Sequence, residues 1–367
     1  MEQLTTIGID LAKSVFQIHG VDAEGAIVVK RKLRRAQVLT FFAGLGPCLV
    51  GMEACAGAHY WARELSALGH EVRIMPPSYV KPYVKRGKTD AADAEAICEA
   101  VTRPTMRFVP VKSAERQAAL LNHKTRDFLV RQRTQLLNTI RAHLSEFGIV
   151  VAKGIHNVGR LLEAAKDLPE AARPAVDMLA DQLRETQEKI DDLTARIEAA
   201  QKTDPFARRL AAIPGIGAIT ASAIAATTPE VDNFRSARDY AAWLGLTPQP
   251  YSSGGKERLG RISKAGNRYL RRLLYLGASC RRHAFGVTAQ ISARRAGRPG
   301  DDWRSPLCLH QWRTMAHRML EKKPVKVVAV ALANRMARVV WAFAIGLERM
   351  ATDGSLRSGE SYRTNPA

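Results

Sequence analysis

The spacing of apolar residues changes character near residue 113, and that change limits the fold more than any other feature. Before it the chain carries short strand-like runs: LTTIGID (4–10), VFQIHGV (15–21), AIVVKRKL (26–33), CLVGM (48–52) and EVRIM (71–75). One stretch with helical spacing, AHYWARELSALG (58–69), lies between the last two and stops at a glycine. Short links after Asp10 and at Asp22–Gly25 predict an antiparallel meander for the first three strands. After residue 113 the steps alternate three and four. Val176, Leu179, Leu183, Thr186, Ile190, Leu193 and Ile197 have the spacing of a coiled-coil seam, with Thr186 its one polar member. Leu129, Leu136, Ile140, Leu144 and Phe147 line an earlier helix. A helical hairpin inside one chain and an arm joining two copies both fit this pattern. A third region opens with LAAIPGIGAITASAIAA (210–226) and continues helical to about residue 345.

Four regions are therefore expected. They are an α/β domain (1–112), a helical coiled-coil region (113–204), a mainly α C-terminal domain (205–347) and a polar, disordered tail (348–367).

Charge points to the partner. The 367 residues carry a net charge of +21, which favours a polyanion, nucleic acid before membrane, because lysine and arginine displace counterions from phosphates. Five scattered cysteines with no CxxC pair argue against a disulfide framework and a structural zinc site. The N-terminus has no basic-then-apolar signal segment. The most apolar stretch, VKVVAVALANRMARVVWAFAIGL (325–347), is broken by Lys326, Asn334, Arg335 and Arg338, and reads as a soluble helix. A cytoplasmic protein with no membrane partner is expected.

Two apolar strands end in carboxylates, Asp10 and Glu53, and KTDAADAEAI places Asp90 and Asp93 on one face of a helix. Acids gathered from two strand ends and a helix suit hard divalent ions, and a two-ion pair stabilises both oxygens of a phosphoryl transfer. For Asp90 alone the plainer reading is a cap on the helix that follows Thr89. Four such acids on so basic a chain favour the metal reading. Actin-like and sugar-kinase ATPases also open on a strand ending in Asp, but the turn here, LAKS, lacks their glycine. PGIGAITASAIAA (214–226) has the form of a helix-hairpin-helix, with Gly215 and Gly217 able to approach a phosphate. Its plainer reading is a tight turn between helices. In YSSGGKERLGRISKAGNRYLRR (251–272), Lys256, Arg258, Arg261, Lys264, Arg268, Arg271 and Arg272 face one acid, Glu257. The loop's hydroxyls, Ser252 and Ser253, suit either phosphate contact or nucleophilic attack. His59 and His70 lack metal-ligand spacing and read as packing or surface residues. Trp303 and Trp312 read as core before base-stacking residues.

GIDLAKSVFQIHGVD, VGMEACAGAHYWARELSALGHEVRIM, YVKRGKTDAADAEAI and LGLTPQPYSSGGKERLGRISKAGNRYLRRLLYLGA together resemble the DEDD transposases of insertion-sequence family one-ten. The last segment is most like the eleven-eleven group, and the Piv-type DNA invertases are similar. The resemblance runs from about residue 4 to residue 346. It implies a RuvC-like domain of ribonuclease H fold whose Asp10, Glu53, Asp90 and Asp93 bind magnesium, as two ions. It also implies a helical transposase domain supplying a nucleophilic serine, Ser252 or Ser253. Ser252 is favoured because relatives often carry threonine at the second position. Cleavage in the family uses a composite site and leaves a phosphoserine link before strand exchange. A structured bridge RNA pairs with donor and target DNA, leaving the protein to hold backbone. A homo-oligomer, dimer or tetramer, is implied because two duplexes are cut and rejoined. The rival expectations are a RuvC-like junction nuclease that uses water, and a nucleic-acid-binding protein without catalysis.

Overall fold

Alternation in VFQIHGV sends Phe16 and Ile18 to one face of a strand and Gln17 and His19 to the other, and both faces are covered. In the computed structural model, which describes residues 4–85, 89–287 and 314–352, β1 (Thr6–Asp10), β2 (Val15–Val21) and β3 (Ile27–Arg34) form the expected antiparallel meander. β4 (Leu49–Glu53) and β5 (Glu71–Met75) extend the sheet in parallel from the other side of β1, giving the order β3-β2-β1-β4-β5. Ile7, Ile9, Phe16, Ile18, Val50 and Met52 pack on that face with Val38 and Phe42 of α1 (Val38–Ala43) and Trp61 and Leu65 of α2 (Ala58–Ala67). After a one-turn α3 (Pro77–Val80), α4 (Asp90–Val101) covers the opposite face. This mixed sheet fits the ribonuclease H-like fold that the resemblance implies.

The chain divides into two compact units, Met1–Gln117 and Ala118–Ala367, so the helical region and the C-terminal region cluster together. The long helices α5 (Ala114–Ser145) and α7 (Arg173–Thr203) are separated by the short α6 (Val158–Ala164). Arg126 Nε donates to Thr194 Oγ1 and Arg133 Nη1 to Gln187 Oε1, each at 2.7 Å. Seven residues forward on α5 is seven back on α7, so the two run antiparallel. Leu136, Leu137, Ile140 and Leu144 share one apolar cluster with Val176 and Leu183. Within this chain, the first of the heptad-spaced residues, Val176, Leu179 and Leu183, therefore pack in a helical hairpin. Phe147, expected on the first of these helices, lies beyond its end and is exposed.

The remaining core gathers Leu210, Ile224, Tyr240, Leu274, Leu332 and Met336. It is built by α8 (Pro205–Leu210), α9 (Ala218–Thr227), α10 (Ala237–Trp243), α11 (Arg268–Val287), α12 (314–320) and α13 (Val325–Thr352). Val325–Gly346 is long and apolar enough to cross a bilayer, yet one face of it, Val328, Leu332, Ala333, Met336 and Val340, is buried in this core. Asn334, one of its polar interruptions, donates to the Leu246 carbonyl at 3.1 Å.

The sequence led us to expect helix throughout this region, and that expectation fails. A two-stranded sheet of β6 (Pro248–Pro250) and β7 (Leu259–Ile262) interrupts it and carries the serine loop at its tip. The tail expected from residue 348 begins as helix, residues 348–352 continuing α13, while its remainder from residue 353, with Trp303 and Trp312, lies outside the described residues.

Candidate active site

Asp10 ends β1 and Glu53 ends β4. Ile9 is registered with Met52 across the parallel pair, so the two acids stand level on neighbouring strands. Both are half-buried. Two residues before each acid stands a glycine, Gly8 and Gly51, and these are registered partners. A Cβ on Gly8 would overlap the Ala94 carbonyl and the backbone of Cys98, and one on Gly51 would come 2.7 Å from Val101 Cβ. The bare backbone at both positions lets α4 lie directly on the sheet.

Thr89 caps α4, its Oγ1 accepting from the Ala92 amide at 3.2 Å. The cap role, the plain reading of Asp90, thus belongs to its neighbour. Asp90 and Asp93 occupy the first turn, where the helix dipole favours negative charge. There they meet Asp10: one carboxylate oxygen from each of the three lies within 4.8 Å of the others. Glu53 stands outside that group of three. It still stands level with Asp10 on the adjacent strand, and the Cys55 thiol pKa is raised, first by burial and then by the negative charges of Asp10 and Glu53.

Three carboxylates at this separation can offer their oxygens to one cation. The donors are hard oxygens, partly open to solvent, and drawn from two rigid elements. That set fits a divalent ion of the magnesium, manganese or calcium kind and not a soft metal. Divalent-metal use is also what the resemblance to the DEDD transposases implies.

The serine loop is a different construction. The Tyr251 amide donates to the Arg258 carbonyl at 2.7 Å, and the Lys256 amide closes a four-residue turn on the Ser253 carbonyl at 3.1 Å. The two central residues, Gly254 and Gly255, have φ of +56° and +75°, the pattern of a type I′ turn, which glycines adopt without strain. Ser252 Oγ accepts from the Arg258 amide at 3.3 Å, and both serines are exposed.

The basic residues behind the loop divide into two sets. Lys256, Arg258, Arg261, Lys264 and Arg268 are exposed. Arg271 is half-buried and gives its guanidinium to the carbonyls of Leu244 (2.9 Å) and Ala265 (2.7 Å). Burial lowers its pKa. Arg272 pairs with Asp127 and lies over the Tyr269 ring. Both of these have partners within the protein, which charge counting along the sequence does not reveal.

Of the two turn glycines, Gly215 has φ +89°, and a Cβ there would come 2.9 Å from Met336 Cε and 3.2 Å from the Gly277 carbonyl. Its lack of a side chain is needed for packing. Gly217 is exposed and opens α9. His70 is a satisfied core histidine, its Nδ1 within 3.3 Å of the Cys48 amide and its Nε2 3.1 Å from the Phe42 carbonyl. The residues overlooked from sequence are Gly8 and Gly51. Their signal was present, a glycine, one apolar residue and then an acid, in both GID and GME.

Two family models match the chain. The DEDD transposase model of IS110, described as "Transposase", covers residues 7–149, and "Transposase IS116/IS110/IS902 family" covers residues 207–291. Among curated relatives, the "Probable family 20 transposase" of Pseudomonas aeruginosa is 47% identical, covering 92% of this chain and 96% of the relative. The transposase for insertion sequence element IS1328 of Yersinia enterocolitica is 39% identical over 93% of this chain and 97% of its own length. That for IS1111A of Coxiella burnetii is 35% identical over 93% and 90%. With such identity along nearly the whole of its relatives, the chain belongs to the IS116/IS110/IS902 family of transposases, enzymes that act on DNA.

Proposed function

We propose that the chain is a site-specific recombinase that moves its own element, with Asp10, Glu53, Asp90 and Asp93 holding two magnesium ions and Ser252 as nucleophile. The observation that carries this reading is the meeting of Asp10, Asp90 and Asp93 within 4.8 Å. Bound there, the ions supply Lewis acidity, offsetting negative charge on the attacking and leaving oxygens. Ser252 Oγ forms a bond to phosphorus as the bond from phosphorus to the leaving deoxyribose oxygen breaks. The serine proton passes to solvent and the departing oxygen takes one up. A second deoxyribose hydroxyl then displaces the serine, which rejoins the strand and regenerates the enzyme. Lys256, Arg258, Arg261, Lys264 and Arg268 hold nucleic-acid backbone, and Gly217 presents the start of α9 to a phosphate. Arg271 and Arg272, spent within the protein, brace the base of the loop, and Gly215 keeps the turn packed.

A structured bridge RNA choosing the DNA sites accords with so large a positive charge, because pairing between strands then reads sequence. Action as a dimer or tetramer in the cytoplasm completes the reading, since two duplexes must be cut.

Strand joining by Ser252→Ala and Ser253→Ala tests the mechanism. Ser252→Ala should abolish joining and the covalent protein–DNA adduct on denaturing gels, while Ser253→Ala keeps both. Wild-type rates in both variants would leave hydrolysis by water as the mechanism. Asp10→Asn should remove cleavage and leave DNA affinity nearly unchanged; cleavage that survives it overturns the metal-site assignment.

A further inference from the structure

We propose that β3, the edge strand of the first domain, is a phosphate track that guides DNA past the acidic site. The inference deepens the proposed function and rests on it. Register carries the argument. Asp10 is paired with Gln17 and Gln17 with Lys32, so Glu53, Asp10, Gln17 and Lys32 form one row across the sheet. Side chains in such a row share a face, and here it is the face on which α4 lies. Lys30, opposite His19, is two residues below that row, and Arg34, opposite Val15, is two above it. Three cations thus climb one side of the strand about 7 Å apart, passing the level of the acids. Lys32 lies two strand spacings, roughly 10 Å, from Asp10, or about three base steps of duplex.

All three are exposed, and among the described residues none of them is in a salt bridge. Glu95 of α4 feels Lys30, but its hydrogen-bonded partner is Lys85 at 2.5 Å. The helical hairpin behaves differently: Arg184, Lys189 and Arg196 on α7 pair with Asp181, Glu185 and Asp192. Lysine on an edge strand also guards against strand-to-strand association, a task for which either face serves. A track for DNA requires the face of the acids. Arg31, exposed on the same strand but on the other face, separates these two accounts.

The test is the affinity of the full chain for a fluorescein-labelled DNA duplex of random sequence, titrated with salt in the presence of chelator. Without divalent ions no cleavage occurs, so this outcome is independent of the serine and Asp10 experiments. The variant Lys30→Gln/Lys32→Gln/Arg34→Gln should reduce the slope of log affinity against log salt by about 2.7, or about 0.9 for each phosphate that the strand no longer neutralises. Arg31→Gln, and the charge-matched Arg184→Gln/Lys189→Gln/Arg196→Gln, should leave the slope at its wild-type value. Should the triple variant lose its melting transition, Lys32→Gln alone stands in, with an expected reduction of about 0.9. An unchanged slope overturns the proposal. So does an equal fall in the charge-matched variant, or a fall confined to an RNA duplex of the same length.

Discussion

Replacing Gly8 by alanine puts a methyl group into the backbone of α4 at Ala94 and Cys98, where no side chain can swing aside. Overpacking of this kind costs about 1–3 kcal/mol, and it should also displace Asp90 and Asp93 from Asp10. Gly8→Ala is therefore expected to lower the urea midpoint and to lose DNA cleavage together, read by chemical denaturation and a cleavage assay. A second residue-scale prediction concerns His123, buried on α5 between the Tyr269 hydroxyl (3.3 Å) and Ser222 Oγ (3.1 Å). Burial first, and then the Arg126 charge, lowers its pKa from 6.5 to about 4. The unfolded chain thus binds this proton more readily than the folded one. Stability is full above pH 6.5 and drops as pH falls toward 4, by on the order of 3 kcal/mol. Urea unfolding across that window should show the loss, and His123→Gln should flatten it.

At the scale of the element, the serine loop depends on its turn. Gly254→Ala with Gly255→Ala forces two side chains into left-handed backbone at about 1–2 kcal/mol each. Because residues 251–260 are all exposed, the loop can relieve this strain by opening locally, so joining should fall sharply while the global melting temperature stays near wild type. No sequence pattern announced this hairpin. Pro248 and Pro250 argue against a strand, and exposed positions give no alternation to read. The strands of the first domain were legible because burial on the sheet imposes short apolar runs bounded by turns, and β2 and β5 matched residue for residue. α1 was not, since VLTFFA is too short for a period to emerge. In the site, strand-ending acids and a three-residue spacing pointed to Asp10, Asp90 and Asp93, whereas the clearance given by Gly8 and Gly51 depends on what lies across from them. The internal partners of Arg271 and Arg272 were hidden for the same reason.

At the scale of the whole molecule, a net charge of +21 attracts phosphate backbones whatever their sequence, so affinity and choice of site should separate. Protein stripped of RNA by nuclease and repurified is expected to keep its salt-sensitive DNA affinity and lose cleavage at the element's ends. Adding back RNA transcribed from the element's noncoding flank should restore cleavage there. Persistent selective cleavage without RNA would show that the protein itself reads sequence. The resting of α4 on Gly8 and Gly51 has a consequence on this scale too. At Gly8 the sheet meets the helix backbone itself, with no side chain between them to trim, so the spacing there is inherited with the main chain, whereas at Gly51 the Val101 side chain sets it. Near Gly8, which stands two residues before Asp10, substitution can therefore change side chains around the acids more easily than the distance from strand to helix.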